Sequence, residues 1–293
     1  MSYRRRSILL YLCLVSQAPF SVFGAYQQET STSVQSVGSH VWLDSDGKPL
    51  PFQDEDSILE FLRTAEVKLL ETVLQGTTQV KQYELQKDGV KTRGVFRDVR
   101  IRKNKARFSD GSVQYGFRDD HVFEVAAYKV AGLLGLRTVP PVVRRKIDGE
   151  NGTLQLWVEN CFTEGDRVNQ NLIPPDMASW ALQWQTLYLF DNLIYNDDRN
   201  RGNILIDDSW RLWMIDHTRS FRNNKKLRNY RMIKFCDREV LERLRALDKD
   251  LLKEALKGLL SGQQISTLLH RRDLLVEHLE EQIKKDGEEA VLF

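Results

Sequence analysis

Cysteine is scarce in this sequence: three residues in 293, at positions 13, 161 and 236. So few cysteines, with no zinc-type Cys/His spacing, exclude a disulfide framework and a structural zinc module. Cys161 and Cys236 leave two readings open. In an oxidising compartment they could pair and close a loop of about 75 residues, worth roughly 4 kcal/mol in the chain-entropy model. They could equally stay as buried thiols. No Gly-x-Ser-x-Gly stretch occurs, so the nucleophile elbow of serine hydrolases is absent. There is no internal repeat and no heptad run long enough for a coiled coil. An excess of one charge is also missing, with 43 Lys and Arg against 41 Asp and Glu. That balance gives no reason to expect a nucleic-acid partner.

The N-terminus is unlike the rest. Met1-Ser-Tyr-Arg-Arg-Arg6 is basic, and Ser7 to Phe23 is apolar but broken by Ser16, Gln17 and Pro19. That run is short for a membrane span, and Val22-Phe-Gly24 suits a signal peptidase. Residues 1–24 therefore read as a cleaved signal peptide. The expected protein is exported, periplasmic or extracellular, with no stable membrane span after cleavage. Removing three Arg leaves 40 basic against 41 acidic side chains, a net charge of −1. Residues 25–54 are rich in Gln, Ser, Thr and Gly around a weak apolar island, Val41-Trp-Leu43, and read as a linker or a loosely attached strand.

From there the hydrophobic period changes along the chain. Asp54-Glu-Asp-Ser57 offers a cap, and Ile58, Phe61, Leu62, Ala65, Leu69, Val73 and Leu74 make a stripe that predicts a helix ending near Gly76. Gln79–Leu85 and Arg93–Val99 alternate as strands around Lys87-Asp-Gly89. Gly76-Thr77-Thr78, at the mouth of that hairpin, could cover nucleotide phosphates with backbone N–H groups and hydroxyls, although an ordinary hairpin satisfies the same pattern. His121 to Gly135 predicts a second helix, capped by Asp119 or Asp120. Val139–Arg145 and Gly152–Val158 predict two more strands. These elements, residues 55–165, make a small mixed lobe. Residues 166–293 make a mainly helical one, with Leu-rich stripes over 239–247, 250–260 and 263–283. Arg271-Arg-Asp273, within the last of these, reads as a salt-bridged structural element.

The most informative stretch lies between. A helix at Trp180–Phe190 gives way to the polar loop Asn196-Asp-Asp-Arg-Asn-Arg-Gly202. Two short apolar strands follow, Asn203–Ile206 and Leu212–Ile215, and the second ends in Asp216-His217. A divalent ion bound to phosphates needs a few hard oxygen ligands and keeps its other positions for water and phosphate. Asn203 and Asp216, at the two ends of a hairpin, can supply them. Asp198, in the preceding loop, is placed to orient or deprotonate a hydroxyl.

Asp198-Arg-Asn-Arg-Gly-Asn203 followed by Ile215-Asp-His217 resembles the catalytic loop and metal-binding aspartate of atypical kinases, the phosphatidylinositol 3-/4-kinase-like and HipA-like proteins. The resemblance covers roughly residues 65–275. It implies an α+β, two-lobe protein-kinase-like fold, with a small β-rich N-lobe carrying one helix and a mainly helical C-lobe. It also implies Asp198 as the catalytic-loop aspartate, Asn203 and Asp216 as metal ligands, and ATP with Mg²⁺ or Mn²⁺ as cofactors. Two departures stand out. Asn200 takes a place where the family often has His. Arg97 stands where the family has its nucleotide-binding lysine, and Arg forks to two oxygens where Lys is a point charge. Lys103 or Lys105 could substitute for it, or belong to a solvated loop. Glu124 takes the place of the glutamate that pairs with the strand lysine, so an Arg97–Glu124 ion pair is expected. Asp191 could support the loop by hydrogen bonds or be a partly buried polar helix end, Arg199 could neutralise substrate phosphate or brace a carboxylate, and His217 could support the metal aspartate from behind or be a structural histidine. The implied function is an exported kinase-like phosphotransferase acting on a hydroxyl of a protein, sugar or lipid head group. A pseudokinase without phosphoryl transfer, nucleotidyl transfer on the same fold, and an adaptor binding through its C-terminal helices are the alternatives.

Overall fold

A computed structural model describes residues 40–75, 78–108 and 111–293. The expected signal peptide, the first part of the 25–54 stretch, and Gly76 and Thr77 lie outside the described residues.

The second part of the 25–54 stretch packs. Leu43 bridges to Pro49, Leu50 is buried, and the Trp42 ring lies 4.9 Å from that of Trp213. Helix α1 (Glu55–Thr64) starts at Asp54, whose carboxylate accepts a 2.8 Å hydrogen bond from the Ser57 amide. Ile58, Phe61 and Leu62 are its buried face. The predicted helix continued to Gly76, but it stops at Thr64 and strand β1 (Glu66–Gln75) replaces its second half. Leu69 and Leu70 stay exposed, so the helical stripe had no core to face. The ladder to β2 (Thr78–Lys87) satisfies the backbone instead.

β2 turns into β3 (Val90–Arg97) through Asp88 and Gly89, both left-handed at φ 50° and 78°. Two consecutive positive-φ residues are what a tight primed hairpin turn requires. A second hairpin, β4 (Arg100–Arg107) and β5 (Val113–Asp120), stands apart as a two-stranded sheet. Next come α2 (Val122–Leu133), β6 (Val142–Ile147) and β7 (Glu150–Leu156). The large sheet has the order β1-β2-β3-β7-β6, with every neighbour antiparallel. One face packs on α1, through Tyr83, Leu85, Phe96, Leu154 and Leu156. Gly152 is pinned by this packing: a Cβ there would lie 2.5 Å from the Arg97 carbonyl oxygen.

β8 (Cys161–Thr163) and α3 (Glu164–Asn169) lead to the long α4 (Met177–Ile194). β9 (Ile204–Asp207) and β10 (Leu212–Met214) join β8 in a sheet of order β10-β9-β8. Then α5 (Arg238–Ala246), α6 (Lys249–Ala255), α7 (Gly262–Asp286) and the short α8 (Glu288–Val291) finish the chain. A second core gathers α4, β9, β10 and the later helices, and α2 contributes Phe123, Ala127 and Val130 to it. So α2 lies within the small lobe in sequence but shares the large lobe's core. Among the described residues, no helix is long and apolar enough to cross a membrane. Cys161 and Cys236 are both free thiols.

Candidate functional site

The site is built on the exit from α4. The helix ends at Tyr195, left-handed at φ 52°, and the loop that follows is held by one arginine. Arg199 takes the Asp191 carboxylate with both Nε (2.9 Å) and Nη2 (3.0 Å). Its Nη1 donates to the carbonyls of Asn203 (2.6 Å) and Ile215 (2.7 Å), and Nη2 lies 3.0 Å from His217 Nε2. The fixed fork of a guanidinium can hold five such bonds; an ammonium could not match this spread. Of the two roles open to Arg199, phosphate neutralisation or bracing, the geometry is that of a brace, and Asp191 is its anchor.

Hydrogen bonds within the braced loop fix its side chains. Asn196 Oδ1 accepts from the Asp198 amide at 3.1 Å, and Asn200 Oδ1 accepts from the Gly202 amide at 2.8 Å. Asn200 thus serves as the cap of a short 3-10 turn at Arg201–Asn203. The Asn203 amide nitrogen donates to the Asp198 carbonyl at 3.2 Å, which fixes the plane of the amide. The Ile215 amide donates to the Asn203 carbonyl at 3.2 Å, so Asp216, the next residue, is held beside Asn203. Asp216 has φ 58°, and Phe221 has φ 57°. With Tyr195, that makes three non-glycine residues in the left-handed region around one loop cluster. Each costs of order 1–3 kcal/mol, and such residues gather at functional sites.

Among the described residues, no group of three or more His, Cys, Asp and Glu side chains forms a metal cluster. An Asn amide oxygen and an Asp carboxylate are nevertheless the donors expected for a divalent ion that leaves most positions to phosphate and water. The residues fit such an ion; they do not fit a self-sufficient protein cage.

Above the loop, the expected Arg97–Glu124 pair is present, Nε to Oε1 at 4.0 Å, with side chains 4% and 0% exposed. Glu124 has stronger partners. Its Oε1 accepts from the His217 amide at 2.8 Å, and Oε2 lies 3.2 Å from His217 Nδ1. Because His217 Nε2 faces a guanidinium, it must accept, and the ring proton sits on Nδ1 toward Glu124. Burial alone raises the Glu124 carboxyl, but the His217 hydrogen bonds and the Arg97 charge outweigh it and hold it below its ordinary value. Lys103 and Lys105 are elsewhere. They lie on exposed β4 opposite Phe117 and Tyr115, and Lys105 Nζ is 5.6 Å from the Tyr115 ring centre.

Asp198 meets a partner from the loop after Asp216. Arg219 Nη1 lies 3.1 Å from Asp198 Oδ2, and Arg219 Nε 3.0 Å from Asp119 Oδ2. Partial burial pushes the Asp198 carboxyl up; Arg219 pulls it down, while Asp216, Asp197 and Asp119 push it up again. The net direction is upward. Asp119 and Arg219 were not legible as a pair: Asp119 carried only a helix-cap signal, and Arg219 lies 100 positions further along the chain. The pairing Arg222–Asp197 joins them. Arg271 also departs from expectation. Arg272 pairs with Asp273, whereas Arg271 is fully buried and bonds only backbone carbonyls, those of Leu193, Arg222 and Asn224.

Comparison with known proteins bears on the fold. No family model matches the chain. A curated relative, Protein Rv2133c of Mycobacterium tuberculosis, is 26% identical over 191 residues, covering 53% of this chain and 68% of that one. The solved structure of hydra Fam20 with sugar superposes with a TM-score of 0.62 at 17% identity, over 84% of this chain and 94% of that chain. The Golgi casein kinase with Mn/ADP bound superposes at 0.58 and 15% identity, over 81% and 78%. The chain therefore has a kinase-like α+β fold of the kind seen in Fam20 and the Golgi casein kinase, with a β-rich N-terminal half and a helical C-terminal half.

Proposed function

We propose that the protein is an exported phosphotransferase that uses ATP and Mg²⁺ or Mn²⁺ to modify a hydroxyl of a protein, sugar or lipid head group. The observation that carries this reading is the shared brace. Arg199 holds the backbone of Asn203 and of Ile215 in one grip, and so sets Asn203, Asp216 and Asp198 on one rigid frame. A structure of similar fold holds Mn and ADP, and another holds sugar. The finer kinship with phosphatidylinositol 3-/4-kinase-like and HipA-like proteins belongs to this proposal and rests on the motif from Asp198 to Asn203.

Metal-bound nucleotide would supply the electrophilic phosphorus and offset the charge of the transferred group. Asn203 and Asp216 would hold the ion. In this reading the buried Arg97, paired with Glu124, would contact the nucleotide phosphates. Asp198 accepts the proton of the acceptor hydroxyl, and Arg219 keeps its carboxylate ionised between turnovers.

One observation favours a second reading, a binding module without transfer: Arg97 replaces the expected lysine and its side chain is 4% exposed. ADP release from Mn²⁺–ATP or Mg²⁺–ATP separates the two. Asp198→Ala should still bind nucleotide and should lose turnover. Full activity in that variant contradicts the role of Asp198, and nucleotide binding without turnover in the parent protein supports the binding module.

A further inference from the structure

A cavity of about 400 Å³ lies between β5 and the loop that follows Asp216, within the size range of small-molecule sites. Its charged lining residues are Arg118, Arg222, Lys225 and Lys226; among the described residues no carboxylate lines it. One carboxylate touches this group from outside, Asp197, on Arg222. Arg118, Lys225 and Lys226 have no acidic partner among the described residues.

A fifth cation lies directly behind the lining. Arg271 is fully buried and donates to the carbonyls of Arg222 (3.2 Å) and Asn224 (2.7 Å), two residues of the cavity wall. No carboxylate pairs with it among the described residues, and its Nη2 has no hydrogen-bond partner. A buried charge is normally paired. The Tyr195 ring offers partial compensation, with the Arg271 guanidinium 5.5 Å from its centre. Ser220, also fully buried in the lining, has an unpaired hydroxyl. The field in this cavity is therefore positive and built into the core, not merely carried on mobile surface lysines.

The cavity is tied to Asp198 at two points. Asp197, its chain neighbour, holds Arg222, and Arg219, which pairs with Asp198, is the neighbour of Ser220. A single carboxylate would meet one guanidinium and leave the other cations unanswered. A phosphate carries up to two charges and three acceptor oxygens, which suits several converging donors. We propose that this cavity binds a phosphate group already present on the acceptor, a sugar phosphate or the equivalent head group of a phospholipid. The acceptor hydroxyl is then presented to Asp198. That last step rests on the phosphotransferase reading; the binding site does not.

Isothermal titration of the full chain with glucose 6-phosphate and with glucose tests the site without nucleotide. Glucose 6-phosphate should bind and glucose should not. The double variant Lys225→Gln/Lys226→Gln, at two exposed positions, should weaken that binding at least about tenfold while Mn²⁺–ADP binding stays as in the parent. Arg118→Gln should act in the same direction. Sedimentation with phosphatidylinositol 4-phosphate vesicles, reversed by glucose 6-phosphate, assigns the phosphate to a lipid; absence of sedimentation assigns it to a soluble acceptor. Equal binding of glucose and glucose 6-phosphate overturns the proposal, as does undiminished binding in the double variant. So does capture of a polyglutamate peptide with no response to either phosphate compound. Binding of glucose 6-phosphate with no Mn²⁺–ADP binding in the same protein would sink the phosphotransferase reading and leave the phosphate site standing.

Discussion

His217 bridges Glu124 and Arg199: its Nδ1 lies 3.2 Å from Glu124 Oε2 and its Nε2 3.0 Å from Arg199 Nη2. Arg97 stands beyond Glu124 and Asp191 beyond Arg199. Five side chains thus form one chain of contacts, running from the β3 strand to the end of α4. Asp216 is the residue before this histidine, so the chain that links the sheet to the helical core also holds Asp216 in place.

His217→Ala removes the middle of that chain and leaves the Glu124 carboxylate buried with the backbone amide of residue 217 and the more distant Arg97. Breaking a buried charged network of this kind costs about 3–5 kcal/mol. Urea unfolding should show that loss, whereas Asn200→Ala, on the exposed edge of the loop, should stay within about 1 kcal/mol.

Arg199→Lys keeps the charge but cannot reach two carbonyls, a carboxylate and an imidazole together. Stability should fall by about 2–3 kcal/mol. Steady-state kinetics should show a drop in kcat larger than the change in KM for nucleotide, because the displaced loop carries Asp198. A variant with unchanged kcat would show that the brace has no bearing on the reaction.

Arg219→Gln removes the one group that lowers the Asp198 carboxyl, and leaves the three neighbouring carboxylates that raise it. The acid limb of the pH–rate profile, where Asp198 must be ionised, should move to higher pH. At fixed low pH the variant should therefore lose more activity than at neutral pH. A limb that stays in place would assign it to another group.

Gly152→Ala tests the seat of Arg97 from behind. The added Cβ meets the Arg97 carbonyl oxygen at 2.5 Å as well as the Phe96 ring, and neither is a flexible chain end. Overpacking of this kind costs about 1–3 kcal/mol, visible as a lower thermal midpoint. Nucleotide affinity should fall with it, since β3 must shift.

The β2–β3 hairpin and the C-terminal helices were legible because each is written in local chemistry. Asp88-Gly89 needs two positive-φ residues, and the last helices carry stripes that one core absorbs. The Arg97–Glu124 pair was legible only through the resemblance, since no local rule ties a strand Arg to a helix Glu 27 positions later. The error at β1 has the same root. Ile58 to Leu74 does carry a helical stripe, but Leu69 is exposed, and pairing with β2 decides the outcome. β4 read as a solvated basic stretch because almost all its side chains are exposed; its partner β5 supplies the order through backbone bonds. Arg271 looked like its neighbour Arg272 and differs only in which face of α7 it occupies. The cavity it underlies joins residues about 100 positions apart, and no sequence window spans that.

The most direct measurement is thermal unfolding of the protein with Mn²⁺ and ADP, beside Asp216→Ala. At about 100 times the dissociation constant, a ligand that binds the folded state adds about 2.7 kcal/mol, a shift of about 5–10 °C for a chain of this size. A metal-dependent shift that disappears in Asp216→Ala is the expected result. An equal shift in both proteins would place the nucleotide elsewhere, and no shift with either Mn²⁺ or Mg²⁺ in folded protein would contradict the nucleotide site.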